Sequence, residues 1–246
     1  MRWLNAIASL ALLPQLLVAQ QIPAGTAIPI MFSSTVDARK SKPGQKIVAR
    51  VMQEVSLPQG RRIRAGTRVA GRILEVQPSR PGSPSRVAFR FDEVFLDGAA
   101  APVTTDLRAL ASLMEIFDAQ LPTNNFDEYG TSIADWTTVQ IGGELVYRGS
   151  GEVVSEDGKV VGKASIGGEV TGKLAPVPSQ GCRGKIAEND REQSLWLFST
   201  SACGVYGTDG LRIAHAGRSH PMGEIILESA HNVHVNGGSG ALLRVQ

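Results

Sequence analysis

Short runs in which apolar and polar residues alternate dominate the chain from residue 21 to about residue 103. Apolar residues or glycine occupy every second position in Val69–Ile73 and Val87–Phe91, and the positions between them carry mostly arginine or alanine. A period of two with one polar side is typical of half-buried β-strands. Gly, Pro and Asp separate the runs, and the Pro-rich segment 78–84 predicts a loop because proline cannot donate to a strand ladder.

Two stretches of the first half resemble one another. Residues 22–29 read IPAGTAIP and residues 63–70 read IRAGTRVA. Each places a glycine where a tight turn can take a positive φ, and an apolar run follows. The pattern predicts a turn and a strand at both places and indicates a duplicated β unit.

One segment has helical rather than strand periodicity. Leu107, Leu110, Met114, Phe117 and Leu121 fall on one face at helical spacing, and Thr104 or Thr105 can cap the segment. Pro122 ends the pattern. We therefore predict one amphipathic helix at about 105–120, lying on a sheet.

Strand patterns resume after this segment and continue to the C-terminus. Asp157-Gly158 predicts a hairpin between 151–155 and 159–163, and Leu195 and Leu197 alternate with Trp196 and Phe198 in a predicted strand over 194–199. Further short strands are predicted at 136–141, 144–148, 211–215, 224–228, 233–235 and 241–245.

The predicted fold class is therefore mainly β. Residues 20–175 form a β-barrel-like domain that includes the helix at 105–120, and residues 182–246 form a smaller β-sandwich-like region. Pro176, Pro178, Ser179 and Gly181 mark the expected linker. The predicted strands are mostly shorter than the roughly 9 to 11 residues of lipid-spanning strands, which argues against a membrane barrel.

The N-terminus resembles a secretory signal peptide. Arg2 precedes an apolar stretch that ends at Val18 and Ala19, and Asn5 and Pro14 interrupt a run already short for a membrane anchor. We expect residues 1–19 to be removed, which leaves a mature chain without a transmembrane segment in the periplasm or the extracellular medium.

Several short motifs of the first half occur in the order of a known family. Residues 22–98 resemble the β-barrel domain of the outer-membrane channel subunit of conjugative, type IV secretion systems. The matching segments are 22–29, 42–44, 48–51, 63–71, 86–91 and 97–98. The resemblance implies a β-barrel core in the cell envelope that associates with other proteins and catalyses nothing. The remainder, around 194–199, 203–207 and 215–218, resembles uncharacterised exported bacterial proteins.

The chain contains two cysteines, Cys182 and Cys203. In an oxidising compartment the simplest state of a lone pair is one disulfide, which closes a loop of about 20 residues and stabilises the fold by about 3 kcal/mol. A nucleophilic thiol and a metal ligand are the alternatives.

Arginines concentrate on the predicted strands of the first half. The formal net charge is only +2, so bulk attraction to nucleic acid is not expected, and electrostatic binding requires a local patch. If the strands pair, their guanidinium groups converge into a patch that suits an envelope protein, an anionic glycan or a lipid. Neutralisation by cross-strand carboxylates is the structural alternative. The candidate binding residues are Arg62, Arg64, Arg68, Arg72, Arg86 and Arg90.

All four histidines lie near the C-terminus, at positions 215, 220, 231 and 234. A periplasmic zinc or copper site made of His215, His220, His231 and His234 is a weaker alternative. The spacing of His231 and His234 in a predicted strand points the two imidazoles to opposite sides. We expect no cofactor and no bound metal.

The sequence carries no recognisable catalytic motif. A Gly-x-Ser-x-Gly elbow is absent, and residues 124–128 lack the spacing of a calcium loop. Paired acids such as Glu144 and Glu169 leave a secreted carbohydrate-active hydrolase as the alternative. The leading hypothesis is a non-enzymatic, exported cell-envelope protein that acts by binding or assembly.

Overall fold

The computed structural model describes residues 22–122, 137–147, 150–166, 168–175, 182, 191–214 and 223–246. The predicted signal peptide, the linker at 176–181, the segment 124–128, His215 and His220 lie outside the described residues.

The described chain is mainly β, as the alternating patterns predict. In chain order the strands are β1 (Ala27–Phe32), β2 (Val36–Asp37), β3 (Lys46–Val51), β4 (Val55–Ser56), β5 (Arg62–Ile63), β6 (Arg68–Gln77), β7 (Ser85–Leu96), β8 (Ala99–Pro102), β9 (Thr105–Ala111), β10 (Thr137–Val139), β11 (Leu145–Tyr147), β12 (Gly151–Val154), β13 (Val160–Ala164), β14 (Val170–Gly172), β15 (Gln193–Ser194), β16 (Gly204–Tyr206), β17 (Leu211–Ile213), β18 (Ile225–Ser229), β19 (His234–Val235) and β20 (Gly240–Val245). One short α-helix, α1 (Leu113–Asp118), follows β9.

The larger sheet has the strand order β16-β9-β20-β1-β3-β6-β7-β18-β17, with β8 paired to β7. The sheet curves back on itself. β8 pairs with β7 towards one end of the strand order, and after residues 103–104 the chain continues as β9, which pairs with β20 towards the other end. These ladders do not make one closed barrel. The sheet surrounds a core in which Phe32, Phe89 and Phe91 pack edge to face or tilted, with ring centroids 5.6–6.2 Å apart.

The smaller sheet is an antiparallel meander, β10-β11-β12-β13-β14-β15. Its inner face carries Val146, Val153 and Val170, which belong to a second core on the outer side of β1, β9 and β20. These three strands are therefore covered on both faces. Helix α1 adds Ile116 to the same core.

The helix prediction is wrong for residues 105–111, which form the buried strand β9. A β-bulge at Arg108 interrupts the pairing with β20, since Leu107 pairs with Leu243 and Ala109 pairs with Leu242. The extra residue lets Leu107 and Leu110 face the same core three positions apart, which imitates helical spacing. The helix itself spans only Leu113–Asp118, and its buried residue is Ile116.

Met114, Phe117 and Leu121, which the helical pattern assigns to the buried face, are exposed. The first turn of α1 is capped by Ser112, whose hydroxyl accepts from the N–H of Glu115 at 3.2 Å. The predicted cap at Thr104 or Thr105 is therefore also wrong.

The C-terminal strands pair with strands from earlier in the chain rather than form a sheet of their own. β20 pairs with β1 and β9, and β18 pairs with β7. Strand pairing thus crosses the expected boundary between residues 175 and 182. The strand expected at 194–199 ends at Ser194, and Trp196 takes a positive φ of 53° in the irregular segment that follows.

Several local predictions agree with the structure. Gly25 and Gly66, in the two similar stretches, have φ values of 79° and 80° and precede β1 and β6. Gly158 turns the chain between β12 and β13. The described helix is too short to cross a lipid bilayer.

Candidate binding surface

Four of the six predicted binding arginines lie on the outer face of β6 and β7. In β6 and β7 the residues Val69, Ile73, Val87, Phe89 and Phe91 point into the core. Alternation then turns Arg68, Arg72, Arg86 and Arg90 to the opposite side. Because β6 pairs with β7, all four arginines share one face of one sheet.

Two further cations join this face from β3. Lys46 is the cross-strand partner of Arg72, and Arg50 is the partner of Arg68. Both side chains are exposed. Sequence reasoning missed them, since the alternation of β3 shows that they face solvent but does not show which strand lies beside them.

Lys46, Arg72 and Arg90 form a continuous row across three strands, because Arg72 also lies directly opposite Arg90. Two arginines of this row share one carboxylate. The Oδ2 atom of Asp92 lies 3.1 Å from Nη2 of Arg72 and 2.8 Å from Nε of Arg90. We call these three cations the Lys46 cluster.

Arg50 and Arg68 lie four residues further along the same strands, and we call them the Arg50 cluster. Arg50 donates through Nη1 to the carbonyl oxygen of Gly66 at 3.2 Å. The guanidinium carbon of Arg68 lies 4.6 Å from the ring centroid of Phe95, as in a cation–π contact. Both guanidinium groups are therefore oriented by neighbouring atoms.

The two clusters together make up the basic face. Its five cations, Lys46, Arg50, Arg68, Arg72 and Arg90, share the outer side of the sheet with two carboxylates, Asp92 and the exposed Glu93. The local excess is three positive charges, which the small net charge of the chain does not show.

The remaining predicted arginines belong to other surroundings. Arg86 lies on the same side of β7, but it contacts Glu228 at 3.2 Å and Glu75 at 3.7 Å, so carboxylates neutralise it. Arg62 contacts Glu54 at 3.4 Å on the small β4–β5 ribbon. Arg64 lies in the turn that leads to β6. The neutralisation interpretation therefore applies to Arg62 and Arg86, and the binding role of the other arginines stays a prediction.

The predicted disulfide between Cys182 and Cys203 is present. It lies beside Arg108, whose carbonyl oxygen is 3.9 Å from Sγ of Cys182. The two cysteines are thus structural in this state, and neither is a free thiol.

Arg108 is a buried cation that sequence reasoning did not single out. Its guanidinium donates to the carbonyl oxygens of Ala202 and Thr200 at 2.9 Å and of Ala175 at 3.2 Å. Burial lowers its pKa to about 10, so it remains charged at neutral pH. Its fixed position holds together the irregular chain that follows β15.

Glu144 supports the same segment. Its carboxylate accepts from the backbone N–H of Thr200 at 2.8 Å and from the hydroxyl of Thr200. Burial raises its pKa above the ordinary value. Glu144 also borders a cleft of about 400 Å³ together with Glu156, Asp157 and Lys159.

The structure does not bring Glu144 and Glu169 together. Glu144 precedes β11 and Glu169 precedes β14, and β12 and β13 lie between those strands. Three strand spacings correspond to about 14 Å, which exceeds the 6.5–9.5 Å that separates the carboxylates of an inverting glycosidase. This pair therefore lacks the geometry of glycoside hydrolysis.

The two described histidines have different surroundings. His234 contacts Asp37 through Nδ1 and Asn236 through Nε2, both at 2.8 Å, and so joins β19 to β2. The backbone N–H of His231 donates to the hydroxyl of Ser229. Within the residues that the structure describes, no group of three or more His, Cys, Asp or Glu side chains could hold a metal ion.

No protein-family model and no curated protein matches the chain.

Proposed function

We propose that this protein is an exported, non-enzymatic component of the cell envelope that acts by binding, and that its basic face holds an anionic partner. The row Lys46–Arg72–Arg90 carries the proposal. Like charges directly opposite one another in a sheet are destabilising, and Asp92 compensates only part of this row. An anionic partner would remove the remaining repulsion.

Two observations support export. The N-terminal sequence has the charge, the apolar run and the small residue of a signal peptide. The Cys182–Cys203 disulfide is typical of an oxidising compartment. N-terminal sequencing of the protein from the periplasm or medium should find a chain that begins close to residue 20. Recovery from the cytoplasm with Met1 intact would contradict export.

Charge reversal tests the binding role. The variant Arg68→Glu, Arg72→Glu and Arg90→Glu should lose partner capture in a crosslinked pull-down from an envelope fraction, because each lost charge-assisted contact costs about 1.5 to 3 kcal/mol. Capture by the wild type should weaken as salt rises.

The matched control is Arg62→Glu with Arg212→Glu, which reverses two exposed, ion-paired arginines outside the basic face. It should capture the same partners as the wild type. Equal capture by the triple variant, with its fold intact by circular dichroism, would refute the role of the basic face.

A further inference from the structure

The two clusters of the basic face have the same charge. The Lys46 cluster has three cations and one shared carboxylate, Asp92, which leaves an excess of two positive charges. The Arg50 cluster has two cations. A phosphate monoester carries about −1.5 to −2 charges at pH 7, so each cluster matches one phosphate group.

The strand geometry sets the distance between the clusters. Lys46 and Arg50 are four residues apart on β3, and Arg72 and Arg68 are four residues apart on β6 in the matching register. At about 3.3 Å per residue the clusters are about 13 Å apart. A ligand that places one phosphate group on each cluster therefore needs a spacer of about that length between the two phosphates.

The four arginines of the two clusters are oriented before a ligand arrives. Asp92 holds Arg72 and Arg90 side by side, and Gly66 and Phe95 orient Arg50 and Arg68. Guanidinium groups present N–H donors in a planar fork that fits phosphate oxygens. Because the side chains are already held, less conformational entropy is lost on binding.

From these observations we infer that the basic face binds the diphosphorylated sugar headgroup of an envelope glycolipid, with one phosphate on the Lys46 cluster and one on the Arg50 cluster. This inference rests on the proposed function and names its ligand. Glu93 lies between the clusters, opposite Ala70 on β6. Its charge weakens the binding of the headgroup.

The test uses the full mature chain and phosphatidylcholine vesicles with one added lipid: a diphosphorylated glucosamine disaccharide lipid, its monophosphorylated form, or phosphatidylglycerol at equal surface charge. The wild type should bind the diphosphorylated vesicles at least about tenfold more tightly than the other two, since only they engage both clusters.

Variants then assign the clusters. Arg50→Gln with Arg68→Gln should lower the affinity for the diphosphorylated vesicles to that for the monophosphorylated ones. Arg62→Gln with Arg212→Gln is the control and should change nothing. Glu93→Gln should strengthen binding severalfold, because it removes a like charge from the ligand's path.

Equal binding to diphosphorylated and phosphatidylglycerol vesicles would overturn the inference and leave a general anion-binding face. Absence of vesicle binding, with partner capture still lost on charge reversal, would also overturn it and indicate an acidic protein partner. If vesicle binding is absent and partner capture survives charge reversal, both this inference and the proposed function are wrong.

Discussion

The role of an arginine in this protein depends on whether its side chain is buried. Arg108 is 1% exposed and donates to three backbone carbonyl groups, whereas the arginines of the basic face lie at the surface. A buried carbonyl group without a donor costs about 1 to 3 kcal/mol. The fold should therefore depend on Arg108 and tolerate changes on the basic face.

Replacement of Arg108 tests this difference. Arg108→Met should lower the free energy of unfolding by about 3 kcal/mol or more, because the carbonyl groups of Ala175 and Ala202 lose their guanidinium donor and Glu144 loses its nearby cation. Arg212→Met, at an exposed ion pair, should change it by less than about 1 kcal/mol. Urea unfolding of both variants is the measurement, and equal losses would contradict the role assigned to Arg108.

Asp106 gives the stability a pH dependence. Burial raises its pKa to about 6. A hydrogen bond from the backbone N–H of Gly223 and the positive charge of Arg244 partly oppose this effect. Between pH 4 and 6 the folded chain thus retains a proton that the unfolded chain has released. The contribution of Asp106 to the free energy of unfolding therefore falls as pH rises through this window.

Asp106→Asn should remove this dependence. The variant should match the wild type in stability near pH 4 and exceed it by about 2 kcal/mol at pH 7. Urea unfolding of both proteins at several pH values measures the difference. A difference that stays constant with pH would show that Asp106 does not titrate in this range.

Two β-bulges decide how single elements present their side chains. The bulge at Arg108 turns the side chains of Leu107 and Leu110 to the same face of β9. Because these residues are three positions apart, their spacing is that of a helix. A second irregularity lies between the pairs of Ala70 and Gly71 on β6. It brings the backbone of β7 close to Gly71, where a Cβ atom would lie 1.8 Å from the carbonyl oxygen of Arg90.

Gly71→Ala should accordingly lower the free energy of unfolding by about 3 kcal/mol or more, because the methyl group cannot fit without moving the backbone of β7. It should also weaken partner capture, since it shifts Arg90 relative to Arg72. Gly237→Ala is the matched control, with no atom nearer than 3.8 Å to the added carbon. Thermal unfolding of the two variants compares them, and similar melting temperatures would exclude the close approach.

At the scale of the whole molecule, residues far apart in sequence form one sheet. β20 lies between β1 and β9, and β18 extends the sheet beyond β7. The Cys182–Cys203 disulfide ties Cys182 to the chain just before β16, the strand that pairs with β9. The crosslink thus acts on the larger sheet rather than on a separate C-terminal unit.

Loss of this crosslink should lower the free energy of unfolding by about 3 kcal/mol, as expected for a loop of about 20 residues. Cys182→Ser with Cys203→Ser, compared with the oxidised wild type in urea, measures the effect. Both thiols should resist alkylation before reduction and react after it. Rapid labelling of either thiol in the native protein would contradict the disulfide as its resting state.

Several local features of this protein can be read from its amino-acid sequence alone. Alternation identifies the buried sides of strands such as β6 and β7, Gly25, Gly66 and Asp157-Gly158 mark turns, and the lone cysteine pair indicates the disulfide. Each depends on the preferences of a few neighbouring residues or on the chemistry of one pair, so each is present in the local pattern.

The neighbours of each strand, in contrast, can be known only from the folded chain. Alternation shows which side of a strand is buried, but the partner and the register depend on contacts between distant segments. Lys46 and Arg50 therefore joined the basic face only through the pairing of β3 with β6. For the same reason the pattern of β9 predicts a helix, since the β20 strand that defines its bulge lies more than a hundred residues away.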